Sequence, residues 1–157
     1  MLAKTINALL FISLPSGGEW MLMFIFLGLF MMPLIFYLKT VQATLDVVGK
    51  ENATLQPTKV WLLLIPFFGL AWHFIIVINL VKSIKAASGA KGVAVKNLTT
   101  FYNLGIAMCV LNCLFFVPFL NIFASFASIV CFIIFWIKVA EYKTIFDDVL
   151  KITTNNQ

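Results

Sequence analysis

Long runs of large apolar residues without a charge alternate with short polar stretches along the chain, at 20–38, 60–81 and 97–137. The run from Val60 to Val81 is the one around which the rest is arranged. At about 1.5 Å of rise per residue it would reach about 33 Å as a helix, enough for a hydrocarbon core of about 30 Å. Trp20 to Leu38 reads as the first span, with Trp20 and Tyr37 near its ends, where amphipathic rings favour the headgroup level. Residues 97 to 137 are too many for one crossing and suit two, with a turn at Pro118 to Asn121 in VPFLN. The pattern predicts an all-α polytopic membrane protein with four transmembrane helices, at about 20–38, 60–81, 99–117 and 122–138.

The flanking segments carry weaker periodicity. Leu2, Ile6, Leu9 and Leu10 fall at helical spacing, which predicts a short interfacial helix within residues 1–18, broken by Pro15, Gly17 and Gly18. No small-x-small cleavage pattern precedes Glu19, so a secretory signal is not the reading. Beyond Lys39, the stripe of Val41, Leu45 and Val48 carries the first helix past the membrane until Gly49 ends it, and residues 50–59 form a loop. After Trp136 the last helix becomes amphipathic, with Val139, Tyr142, Phe146 and Val149 on one face and an Asp147–Lys151 pair on another. The division is then an N-terminal segment 1–18, a four-helix domain 19–143, and a C-terminal helix end with a disordered tail TTNNQ at 144–157.

Counting lysines on the two sides of this arrangement orients it. One side receives Lys4, Lys82, Lys85, Lys91, Lys96, Lys138, Lys143 and Lys151, the other Lys39, Lys50 and Lys59. The positive-inside bias then puts both termini in the cytoplasm and the 39–59 loop on the opposite face.

Composition narrows the class. With 157 residues, 62% of them hydrophobic, and a mean hydropathy of +1.05, the chain lies far outside the range of soluble domains. The net charge of +5 comes from lysine with no arginine. That removes the bidentate fork of phosphate and base recognition, so nucleic acid is not an expected partner; the lysines suit anionic headgroups. Cys109, Cys113 and Cys131 all fall inside predicted spans without a C-x-x-C pair, so they read as small hydrophobes, not as a disulfide or zinc framework.

Three polar residues within the spans are the candidate functional positions: His73, Asn79 and Asn112. Hydrocarbon cannot solvate an imidazole, so His73 should face protein as the neutral form, with an asparagine or a carbonyl of a neighbouring helix as partner. Pro66, Gly69 and His73 share a helical stripe on which Gly69 admits another backbone. On the third helix, Gly105, Cys109 and Cys113 recur every four residues with Asn112 beside them. Ala124, Ser125, Ser128 and Cys131 form a narrow stripe on the fourth. Small residues let helices approach closely in lipid, so these two stripes are expected to face each other, with Asn112 bonded to a serine or to His73.

An internal similarity accompanies this. IPFFGL at 65–70 resembles VPFLNI at 117–122, and each precedes an aliphatic helix that exits through lysine, as two related halves would. If the halves are related, Pro66 marks an entry bend after a short membrane-inserted arm, not a kink in a straight span. Taken with VWLLLIPFFGLAWHF, the VKSIK exit from Val81 to Lys85, and the closing FIIFWIKVAEYK, the chain from 57 to 143 resembles a family of small bacterial four-helix integral membrane proteins. That family's pattern often has asparagine where this chain has Gly69. The resemblance implies a multi-pass protein of a bacterial inner membrane and carries no activity, ligand or partner.

No P-loop, G-x-G-x-x-G, H-E-x-x-H or G-x-S-x-G motif is present, and no acid lies within a span to work with His73. The expectation is a non-enzymatic protein without catalytic, metal or cofactor residues: an integral subunit or assembly partner of a larger inner-membrane complex. A small homo-oligomeric channel or transporter, with a polar route at His73, Asn79 and Asn112, is the alternative. A third reading makes His73 the ligand of a haem or chlorin.

Overall fold

A computed structural model of the chain describes residues 17–65, 67–114, 117 and 119–155. Among them the architecture is all-α: α1 (Gly17–Val48), a 3-10 arm (Pro57–Leu64), α2 (Phe68–Lys91), α3 (Leu98–Leu114) and α4 (Asn121–Asn155). Three of these helices, α1, α2 and α4, are long and apolar enough to cross a membrane, and α3 is a shorter apolar helix. The expected interfacial helix lies, up to residue 16, outside the described residues, and so do Pro66 and Pro118.

The chain divides into two compact units, Met1–Phe36 and Tyr37–Gln157, with the division inside α1. In the first, α1 is apolar on every side: Met21, Leu22, Phe24, Phe26, Leu29 and Met32 are all exposed. A helix without a polar face suits lipid on all sides.

The second unit contains the core. Tyr37, Leu38, Val41, Leu45 and Val48 are fully buried, one face of the last three turns of α1. The helix stops where Gly49 adopts φ 95°, a conformation that glycine takes without a Cβ penalty. Paired residue numbers then give each element's direction. Tyr37 packs on Phe132, Thr40 Oγ1 accepts from Trp136 Nε1 at 3.0 Å, and Thr44 Oγ1 reaches the Val139 carbonyl at 3.5 Å, so this part of α1 runs parallel to α4. Tyr37 meets His73, and Lys91 Nζ donates to the Val47 carbonyl at 3.0 Å, so it also runs parallel to α2. Between α3 and α4 the partners fall as the chain advances: Phe101 stacks on Phe135 and abuts Tyr142, whereas Asn112 meets Ser128. These two helices form an antiparallel hairpin.

Where hydropathy draws one span over 60–81, the backbone has two elements. The Ser83 hydroxyl accepts from the Thr54 amide at 2.9 Å, the Lys59 carbonyl accepts from Trp72 Nε1 at 2.9 Å, and the Leu63 carbonyl lies against Gly69. The segment 54–64 therefore descends along α2 in the opposite direction, and Val60 is buried in that contact. Trp61 Nε1, donating to Gln42 Oε1 at 2.8 Å, ties the arm to α1. Pro57 starts the arm, and proline tolerates a first-turn position because no amide partner is needed there.

This arrangement corrects the expected sides. The 39–59 loop does not lie opposite the Lys82–Lys96 segment: the Thr54–Ser83 and Lys91–Val47 hydrogen bonds hold the two together. A lysine count alone could not see this, because it carries no information on which segments touch. Two details at the C-terminal end also differ. Asp147 pairs with Lys143 at 3.1 Å, and Lys151 turns to Asp148 at 3.8 Å. α4 also runs through Thr153 and Thr154 to Asn155, with both hydroxyls donating back to carbonyls one turn earlier, and the last two residues of the TTNNQ stretch lie outside the described residues.

Candidate functional site

The buried polar side chains among the described residues are Thr44, His73 and Ser83. His73 is 7% exposed, and its partner is Tyr37 rather than an asparagine or a carbonyl: Oη lies 3.2 Å from Nε2, with the rings at 62° and 5.8 Å between centroids. The phenol donates when the imidazole carries its proton on Nδ1, and accepts in the other tautomer. Tyr37, at the end of the first apolar run, is fully buried, since α1 continues past it and α4 packs Phe132 and Phe135 against the ring at 5.0 and 6.3 Å. The signal available in sequence was only that Tyr37 precedes the Val41–Leu45–Val48 stripe by one turn.

A phenol and an imidazole enclosed by aromatic rings satisfy each other, and a proton relay needs a further acceptor. Among the described residues no group of three or more His, Cys, Asp or Glu side chains comes together to hold a metal. Tyr37→Phe is expected to leave the fold intact and lower stability in mild detergent by about 1 kcal/mol, the net worth of one hydrogen bond. Chemical denaturation of wild type, Tyr37→Phe, His73→Ala and the double variant measures the coupling, which is expected to be of the same size.

The other two polar candidates have their own settings. Asn79 Nδ2 donates to the Ile75 carbonyl of its own helix at 2.7 Å, while the Asn79 carbonyl accepts from Thr54 and Ser83 hydroxyls at 3.0 and 2.8 Å. Asn112 Oδ1 accepts from Ser128 Oγ at 2.6 Å, across the α3–α4 hairpin. No hydrogen bond of the described residues links His73, Asn79 and Asn112 to one another.

The small residues fall at close approaches of differing kinds. A Cβ on Gly69 would overlap the Leu63 carbonyl oxygen, so the arm's backbone occupies that space. At Gly105 it would lie 2.5 Å from Val77 Cγ1 and 2.7 Å from Phe135 Cε2, which places this glycine where α2, α3 and α4 meet. Cys109 and Ala124 are buried, Ser128 carries the bond to Asn112, Cys131 is half-buried and Cys113 is exposed. Cys113 thus falls off the packed stripe.

No protein-family model, curated protein or solved structure matches the chain. The residues quoted for a four-helix family therefore support the coarser statement: this is a small all-helical protein with several apolar helices of membrane length.

Proposed function

We propose that the protein is a non-enzymatic integral subunit, one that assembles or stabilises a larger complex of a bacterial inner membrane. The observation that carries this reading is the contrast between a closed interior and an open apolar exterior. Among the described residues every buried side-chain nitrogen or oxygen has a partner within the chain. On the outside, α4 exposes Ile122, Phe123, Phe126, Ile129, Val130 and Ile133 as a continuous apolar surface. Such a surface suits acyl chains and the apolar helices of other subunits. The alternative of a homo-oligomeric channel needs His73, Asn79 and Asn112 on one route, and the separate partners of the three favour the first reading.

Native mass spectrometry of the protein extracted in mild detergent from its own membranes tests this. Stoichiometric foreign subunits are the expected result. A particle that contains only copies of this chain would overturn the proposal and move attention to ion or solute flux in liposomes.

A further inference from the structure

The two I/V-P-F stretches share a backbone as well as letters. The amide of Ile65 donates to the Leu62 carbonyl at 3.2 Å and that of Val117 to the Leu114 carbonyl at 3.0 Å. The amide of Gly69 donates to Ile65 at 2.7 Å and that of Asn121 to Val117 at 3.2 Å. Phe67 and Phe119 occupy the same place in the two turns, at φ 62° and 70°, a left-handed backbone that L side chains rarely adopt. Both rings point outward, 82% and 95% exposed. Two aromatic rings at the outermost point of two matching turns suit hydrocarbon and would be poorly placed in water.

Both turns lie at the same end of the second unit. The arm descends along α2, so Phe67 lies at the end away from Lys82, Lys85 and Lys91; α3 descends along α4, so Phe119 lies away from Lys96 and Lys138. The two hairpins share their charged end, where Lys91 Nζ sits 5.5 Å from the Phe146 ring centre and Tyr142 donates to the Lys96 carbonyl. Lys50 belongs to that end too, between the Lys91–Val47 and Thr54–Ser83 hydrogen bonds, while Lys39 and Lys59 lie further along, near the level of His73 and Trp72, still on that side of the Phe67 tip. The depth of the first turn follows from helical rise. The Lys59 carbonyl is level with Trp72, and Phe67 lies five residues earlier, about 8 Å further on, whereas one leaflet of hydrocarbon is about 15 Å thick.

We infer that residues 57–81 do not cross the membrane: the arm and α2 form a re-entrant hairpin whose Phe67 tip rests among acyl chains, entered from the lysine-bearing face and left by it. The Phe119 turn of the α3–α4 hairpin points into the same hydrocarbon from the same face. The lysine excess marks that face as cytoplasmic. The arm is itself a 3-10 helix that bonds its own backbone; it packs on α2 through Val60 and is tied to α1 by Trp61, while its apolar end at Leu64, Ile65 and Phe67 is exposed. This stands whether or not the protein has partner subunits.

Single cysteines at Glu51, Lys85 and Thr153, in the full chain, test it with a membrane-impermeant maleimide on sealed vesicles of both orientations. Native-cysteine protein provides the background. Glu51→Cys, Lys85→Cys and Thr153→Cys are expected to label from the cytoplasmic face. Labelling of Glu51→Cys from the face opposite to Lys85→Cys would show that 57–81 crosses, and labelling of Thr153→Cys from the face opposite to Lys85→Cys would show that the α3–α4 hairpin changes sides; either overturns the inference. Phe67→Cys is expected to resist the reagent from both faces and to react once detergent opens the membrane. Ready labelling of intact vesicles at Phe67→Cys would remove the lipid-seated tip.

Discussion

Phe135→Ala is expected to lower the stability of the protein in mild detergent by about 4 kcal/mol, in the range for a large ring removed from a packed site. Phe135 is fully buried where three helices converge. Its ring stacks on Phe101 at 4.6 Å and 5°, meets Tyr37 at 6.3 Å, and sits against Gly105. Truncation leaves a cavity that these neighbours cannot close, because Gly105 has no side chain to move into it and Tyr37 is held by His73. Denaturant titration of a detergent-solubilised sample, followed by far-ultraviolet circular dichroism, measures the loss. A change below about 1 kcal/mol would mean that the three helices do not converge on this ring.

Gly69→Ala is expected to cost about 3 kcal/mol, the upper part of the overpacking range, and to act on one element. The added methyl would run into the Leu63 carbonyl oxygen, a backbone atom that cannot rotate away as a side chain can. Helix propensity favours alanine by about 1 kcal/mol at an interior position and by less at the second residue of a helix, where Gly69 sits, so the clash exceeds that gain. The arm must therefore lift from α2, which breaks the Trp72–Lys59 and Trp61–Gln42 hydrogen bonds. Hydrogen exchange of residues 57–64 is expected to accelerate more than that of the α3–α4 hairpin. Gly28→Ala provides the comparison: nothing lies within 4 Å of the place its new methyl would take, and stability should stay level or rise slightly.

The candidate site was unevenly legible in the chain. The spacing of Asn112 and Ser128 on two adjacent small-residue stripes is a local pattern, and the 2.6 Å bond between them joins sequence neighbours of one hairpin. The partner of His73 was not readable, because Tyr37 is 36 residues away and its position at the end of an apolar run has an equally good explanation at the headgroup level. Burial of Tyr37 depends on α4 lying parallel to the end of α1, a pairing that no short-range pattern encodes.

By itself the sequence determined that the chain is helical and lives in a bilayer. Long uncharged runs need their backbone groups satisfied within the segment once water is absent, and the helix is the solution for a short chain. It also determined where α1 ends, since the apolar stripe and Gly49 are local signals. Tertiary structure alone decided that 57–81 is an arm and a helix rather than one continuous helix, that Tyr37 closes over His73, and that Val47 to Thr54 shares an end with Ser83 and Lys91. Hydropathy measures how much apolar chain there is and is blind to its direction. A run that folds back on itself has the same composition as one straight helix, and only contacts across the fold, such as Leu63 with Gly69 and Thr54 with Ser83, distinguish the two.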